Sequence, residues 1–97
     1  MDIAPKTPAE VVPVMFDYRT AVQGDTVASA TMSCMDAFGI DQSSMLVGPP
    51  VIRGKLVTQL VSGGTVGRDY TVTCLATFSR GAVLQAEATF SVVVTNP

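Results

Sequence analysis

The segment DYTVTCLATF, residues 69–78, is the part of the chain in which apolar and polar side chains alternate most regularly. One parity carries the apolar side chains of Tyr70, Val72, Cys74, Ala76 and Phe78. The other parity carries threonines at 71, 73 and 77. Because successive side chains of a strand point to opposite faces, this pattern predicts a half-buried β-strand. Such a strand must pack its apolar face against a second layer.

Similar patterns predict further strands on both sides of this one. A first strand is expected at roughly 11–18, and Pro13 places it at a sheet edge, where a missing N–H breaks no ladder bond. In the next strand the even positions are apolar, so we expect Ala28, Ala30, Met32 and Cys34 to face inward. The segment 51–61 is also β-rich, with Gly54 as a bulge or bend and with two faces that are hard to tell apart.

The last strand is expected over 82–95. Its inward positions would be Ala86, Ala88, Phe90, Val92 and Val94.

Glycine and proline mark the predicted turns between these strands. SGGTVG, residues 62–67, predicts a corner in which Gly63, Gly64 and Gly67 supply positive φ angles. Gly81 serves a short hairpin connection in the same way. Residues 36–45 are expected to form a loop or an irregular short strand, and Gly48-Pro49-Pro50 to break the chain once more.

Six to eight short strands with this punctuation predict an all-β fold, an immunoglobulin-like antiparallel β-sandwich. Cys34 and Cys74 are expected mid-strand and inward, where an immunoglobulin domain has its pair on strands B and F. Tyr70 follows a glycine-rich corner as a tyrosine corner would, but it precedes the cysteine by four residues instead of two. The predicted core residues are Cys34, Cys74, Tyr70, Val72, Phe78 and Phe90.

Ninety-seven residues make one domain, which we place at 12–97. Residues 1–11 have no periodicity and are predicted to be an extended N-terminal arm. The arm residues with which a partner would make contact are Pro5, Lys6, Pro8 and Glu10.

The N-terminus has no apolar stretch typical of a signal peptide, so synthesis in the cytoplasm is expected. That compartment favours two buried thiols over a disulfide between the cysteines. The net charge is −2 and the six cations are scattered, which argues against nucleic-acid binding.

The residue inventory argues against catalysis and against a cofactor. The chain has no histidine, which removes the commonest general base and metal ligand. Asp36 and Asp41 flank a loop, but their spacing does not match a calcium-binding loop, so we interpret them as turn-forming residues. The glycines at 63–67 are not followed by the lysine of a phosphate-binding loop. A non-enzymatic protein without a cofactor or metal site is therefore predicted.

Three features in this order resemble the small immunoglobulin-like virion proteins of tailed bacteriophages, among them the fiber–tail adaptor proteins. They are KTPAEVVPVMFDY from Lys6, QGDTVAS from residue 23, and LVSGGTVGRDYTVTC at 60–74, followed by a hairpin and a valine-rich strand. The resemblance spans nearly the whole chain except 36–55, and its most distinctive element is G-G-T-x-G-x-x-Y.

The resemblance implies a structural protein of the virion, made in the host bacterial cytoplasm. It would dock tail fibers to the tail or the portal–tail junction, in symmetric multiple copies that contact tail, portal-adaptor or fiber proteins. Two alternatives are a capsid decoration or cement protein of the same build, and a surface- or carbohydrate-binding module. The absence of tryptophan and the inward position of most aromatic residues argue against the carbohydrate-binding alternative.

Overall fold

A computed structural model describes residues 5–19 and 24–95 of the chain. The described residues form six β-strands and one short 3₁₀ helix. These elements are β1 (Val11–Asp17), β2 (Val27–Asp36), η1 (Ser43–Met45), β3 (Leu46–Arg53), β4 (Leu56–Ser62), β5 (Asp69–Phe78) and β6 (Val83–Ser91). The predicted all-β architecture is therefore confirmed.

The strands form two antiparallel sheets of three strands each, with the orders β1-β4-β3 and β2-β5-β6. These orders match strands B-E-D and C-F-G of an immunoglobulin sandwich. We call them sheet one and sheet two. Pro13 lies on β1, at an edge of sheet one as predicted, where its missing N–H leaves the pairing with β4 intact.

The core lies between the sheets, where the inward-facing residues of both meet. Sheet one contributes Val14 and Phe16 among others, and sheet two contributes Phe78 and Phe90. The rings of Tyr18 and Phe78 meet edge to face at 5.7 Å, and those of Tyr70 and Phe90 stack at 5.8 Å. The alternation predicted for β5 is confirmed along the whole strand.

Two predictions about the middle of the chain are wrong. Residues 51–61 are not one strand, because Gly54 and Lys55 form a hairpin turn between β3 and β4. Gly48-Pro49-Pro50 does not end a strand either. The strand β3 runs through it with a bulge. Val47 is opposite Leu60 and Val51 is opposite Thr58, so residues 48–50 of β3 face only Gln59 of β4.

Two inward assignments at strand ends are also wrong. Ala28 is exposed, because a register shift between Val27 and Ser29 breaks the alternation at the start of β2. Val94 is 74% exposed, because β6 ends at Ser91 and the chain leaves the sandwich soon after Val92.

Cys74 lies on β5, the equivalent of strand F, as expected, but Cys34 lies on the equivalent of strand C instead of strand B. Cys34 lies on β2 and Cys74 on β5, which are neighbours in sheet two. In the register, Cys34 is opposite Val72 and Cys74 is opposite Met32. The two thiols are thus diagonal neighbours in one sheet, and the structure has both as buried free cysteines.

Candidate interaction surface

The outer surface of sheet one is apolar, although it faces away from the core. We call it the apolar face, and its members are Val11, Pro13, Met15, Val47, Val51 and Leu60. The register places them side by side, with Pro13 beside Leu60 and Leu60 beside Val47. Met15 and Val51 are each 53% exposed, on either side of Thr58. A contiguous apolar patch of this kind on a small protein is typical of a contact surface.

The outer surface of sheet two differs in character. We call it the threonine face, since its centre is Thr71 and Thr73 on β5, beside Thr89 and Glu87 on β6. The hydroxyl oxygens of Thr71 and Thr89 lie 3.3 Å apart and share a hydrogen bond. These polar side chains satisfy one another and water, and they separate the exposed side chains of Met35 and Leu75, so this face has no contiguous apolar patch like that of sheet one.

The apolar face is held in shape by a buried glutamine. Gln59 lies on β4 with its side chain in the core, and it is 1% exposed. Its amide nitrogen donates hydrogen bonds to the carbonyls of Val47, Gly48 and Leu60 at 3.0–3.2 Å. The bulge in β3 would leave carbonyl groups unpaired, and Gln59 satisfies them. It therefore fixes the strand between Val47 and Val51.

A second exposed apolar site lies at the turn after β2. We call Phe38 and Ile40 the loop tip; they are 77% and 59% exposed. The buried carboxylate of Asp36 holds this turn, since its Oδ1 accepts hydrogen bonds from the backbone N–H of Phe38 at 2.9 Å and of Ile40 at 3.0 Å. Gly39 between them has a φ of 79°, which completes a tight turn.

Charged groups beneath the loop tip reinforce this arrangement. The hydrogen bond from the Ile40 N–H, joined by that from Phe38, holds the pKa of Asp36 below its usual value, although burial opposes this effect. The guanidinium of Arg68 lies 4.0 Å from the Asp36 carboxylate and 5.9 Å from the centre of the Phe38 ring. The exposed ring of Phe38 thus lies within cation–π distance of Arg68.

The predicted partner arm is in part attached to the sandwich itself. Lys6 is fully buried and forms a parallel bridge with Val92, next to β6. Its ammonium donates to the carbonyls of Gly63 at 2.6 Å and Thr7 at 2.7 Å. Burial lowers the pKa of Lys6, and Glu10 opposes this effect. Pro5 and Pro8 are exposed, and residues 1–4 lie outside the described residues.

The predicted corner brings the two sheets together at Gly64. Its φ is 97°, and a Cβ there would lie 2.6 Å from Cγ2 of Val92. Gly63, Gly67 and Gly81 also have positive φ angles, but a Cβ at any of them would meet no atom within 4 Å. Tyr70 closes the corner, because its hydroxyl oxygen accepts a hydrogen bond from the Thr65 N–H at 2.8 Å.

The structure places the six residues named as core inside the sandwich. Cys34, Cys74 and Val72 have no exposed surface, while Tyr70, Phe78 and Phe90 are at most 2% exposed. Burial raises the pKa of Cys34 to about 11, with a smaller contribution from Asp41. Burial also raises the pKa of Cys74, against a hydrogen bond from Tyr18. Both thiols are thus protonated at neutral pH and are poor nucleophiles.

The sequence reasoning missed the residues that shape the exposed surface. Gln59 was not singled out, although a polar residue between Val57 and Val61 on the same parity is a signal for a buried hydrogen-bonding role. The apolar face left a signal as well, since both parities of 51–61 contain apolar residues. The loop tip follows no periodicity, so only its folded geometry reveals it.

Among residues 5–19 and 24–95 there is no pocket and no group of three or more side chains able to hold a metal ion. The same residues include no helix with the length and apolar content needed to span a membrane.

Comparison with known proteins identifies the family. The family model described as podophage GP4 fiber-tail adaptor protein gp77 matches residues 6–91, so the chain belongs to this family of bacteriophage structural adaptors. The resemblance drawn from the three sequence features is confirmed. A search of curated proteins found no match.

Proposed function

We propose that this member of the fiber–tail adaptor family docks tail fibers to the tail or the portal–tail junction, as a non-enzymatic protein present in symmetric multiple copies. The apolar face is the observation that carries the proposal. A free protein gains nothing from exposing Met15, Val51 and Leu60 together, whereas a protein that is permanently assembled buries them.

The shape of this surface suits a stable contact with another folded protein. It is a strand surface without a pocket, so its partner would have to be similarly flat. Its two edge strands carry Pro13 and Pro49-Pro50, which cannot donate to a further strand. Docking would therefore use the side chains of the apolar face instead of pairing with the edge of the sheet.

The segment before β1 would add contacts between neighbours in the array. Lys6 fixes one point of it to the sandwich, and Glu10 accepts a hydrogen bond from the Thr7 N–H at 2.6 Å. Pro5 and Pro8 remain exposed on this anchored segment. A segment fixed in this way can contact an adjacent copy with little loss of conformational entropy.

Assembly of virions in cells that supply a variant in place of the wild-type chain would test the proposal. We expect Met15→Lys and Leu60→Lys, which place charges on the apolar face, to reduce both the copies of this chain per virion and the number of attached fibers. The matched control is Leu75→Lys, at a position 42% exposed on the threonine face. Copies per virion are measured by quantitative mass spectrometry and fibers by electron microscopy.

Two outcomes would contradict the proposal. One is normal fiber attachment in virions that lack this chain. The other is imaging that places the chain on the capsid shell, which would favour a decoration protein.

A further inference from the structure

An adaptor must contact two partners at once, and the apolar face accounts for one of them. The loop tip lies elsewhere, on the turn that follows β2 of the other sheet, at an end of the strands. The folded protein measures 43 Å along its longest axis and 21 Å along its shortest. Partners on a side and at an end of such a body can therefore be bound together.

The loop tip is built to hold apolar side chains in water. Asp36 accepts two backbone hydrogen bonds inside the turn, and Gln42 donates a longer one to it at 3.5 Å. The backbone N–H of Asp36 donates to the Ile40 carbonyl at 3.0 Å, which closes the turn from the other side. A turn fixed before binding loses little entropy when it docks, and exposed aromatic anchors of this kind dominate interface energetics.

The charges around the loop tip indicate what its partner presents. At this end of the strands the described residues include four acids and two cations: Glu10, Asp36, Asp41, Asp69, Lys6 and Arg68. The ammonium of Lys6 and the carboxylate of Asp36 are both buried, and the guanidinium of Arg68 lies beside the Phe38 ring. The acidic excess that a partner would meet at this end therefore comes from Glu10, Asp41 and Asp69. Among the described residues, the opposite end has two acids and four cations: Asp17, Asp25, Arg19, Arg53, Lys55 and Arg80. A partner of the loop tip would therefore be complementary if it were basic.

We propose that the loop tip is a second docking site, which inserts Phe38 and Ile40 into an apolar pocket rimmed by Lys or Arg on a virion protein other than the one that covers the apolar face. The proposal rests on the adaptor role proposed above. The tip is the anchor, and the exposed carboxylates of Asp41 and Asp69 at the same end of the sandwich would face the basic rim.

Photocrosslinking in assembled virions tests which protein receives the loop tip. A benzoylphenylalanine replaces Phe38 in one variant, Met15 in a second and Val83, an exposed valine at the far end, in a third. We expect the probe at 38 to give crosslinked peptides that contain apolar residues next to Lys or Arg, from a different protein than the probe at 15. No crosslink above that of the probe at 83, or crosslinks at 38 and 15 to the same protein, would overturn the proposal.

Paired substitutions test the chemistry of the contact. The double variant Phe38→Ser with Ile40→Thr should reduce retention of the second partner by about 30-fold or more, the loss typical of an interface anchor. Val83→Thr is the matched control for an exposed apolar residue. At the exposed position 37, Ala37→Lys should weaken the contact and Ala37→Glu should not, because only the former repels a basic rim. Equal effects of the two Ala37 variants would overturn the proposed basic rim.

Thermal unfolding of each purified variant shows that it is folded before it is compared. Failure of this inference differs from failure of the adaptor role. If the Phe38/Ile40 variant enters virions and retains fibers and tail at wild-type levels, the loop tip is not a docking site although the adaptor role stands. If virions without this chain attach fibers normally, the adaptor role itself is wrong.

Discussion

The apolar face and the threonine face are the outer surfaces of two three-stranded sheets in the same small sandwich, yet they differ in composition. On β5, the outward parity consists largely of threonine, and the inward parity is apolar. On β1 and β4, Met15 and Leu60 face outward, while Phe16 and Val61 face inward. Packing against the core accounts for the apolar residues that face inward on each strand. It does not account for the apolar residues that face outward on sheet one, and we assign these to contact with a partner.

The largest difference in stability is expected between variants of two adjacent residues of β1, one facing inward and one facing outward. Phe16→Ala removes a ring that is 1% exposed and should lower the free energy of unfolding by about 3–5 kcal/mol. Met15→Ala should change it by less than about 0.5 kcal/mol in the free protein, because Met15 is 53% exposed. Urea unfolding of both variants measures this. Equal losses would mean that Met15 is packed in the free chain and that the apolar face is not available to a partner.

A somewhat smaller loss is expected where the chain crosses from sheet one to sheet two. Gly64→Ala places a methyl group 2.6 Å from the stiff, buried side chain of Val92, in addition to the cost of a positive φ. We expect about 2–4 kcal/mol of destabilisation. Gly81→Ala shares the positive φ but meets no neighbour, so it should cost about 1 kcal/mol. If the two variants were equally stable, crowding at the corner would not be what requires glycine.

The third prediction concerns the glutamine that shapes the apolar face from within. Gln59→Leu fills a similar volume but leaves the carbonyls of Val47 and Gly48 without the donor that they share. Because these acceptors are only partly buried, their loss of a donor should cost about 1 kcal/mol. Amide hydrogen exchange should rise in β3 around Val47 and stay unchanged in β5. Unaltered exchange in β3 would show that another group satisfies the bulge.

How far the sequence predicts this molecule depends on how local each feature is. The inward parity of β5 follows from consecutive residues, and Pro13 identifies its own edge strand. The β3–β4 hairpin was mistaken for one strand, because β-branched and apolar residues continue on both sides of Gly54 and a turn glycine looks like a bulge glycine. The placement of Cys34 beside Cys74 in one sheet depends on strand order, which no local pattern contains.

The two exposed surfaces also differ in how far the sequence predicts them. The apolar face could be suspected from the doubled apolar parity in 51–61, but its continuity from Pro13 through Leu60 to Val47 requires the register. The turn-forming role expected of Asp36 is confirmed, but it does not reveal that the turn exposes Phe38 and Ile40, so the loop tip was beyond prediction. Only the folded chain brings Arg68 of a distant loop to this carboxylate and to the Phe38 ring.

The smallest expected effect is a pH dependence of the loop tip, which has no counterpart on the threonine face. The pKa of Asp36 is lowered in the folded protein by its hydrogen bonds with Ile40 and Phe38, whereas the pKa of an aspartate in the unfolded chain is about 3.9. The ionised form is therefore favoured by folding. Its stabilisation is complete above the unfolded pKa and is lost as the pH falls through the lower, folded pKa.

Asp36→Asn should accordingly flatten the decline in the free energy of unfolding between about pH 5 and pH 2. Glu87→Gln removes one carboxylate from the threonine face, away from the loop tip, and is the comparison variant. Chemical unfolding at a series of pH values gives both slopes. Since Asp36 holds the turn beneath Phe38, amide exchange at residues 38–40 should rise over the same acidic range in the wild-type chain. A slope in Asp36→Asn as steep as in the wild type would show that the turn is held by its backbone hydrogen bonds and by Gly39, and that the carboxylate is not what keeps Phe38 in place.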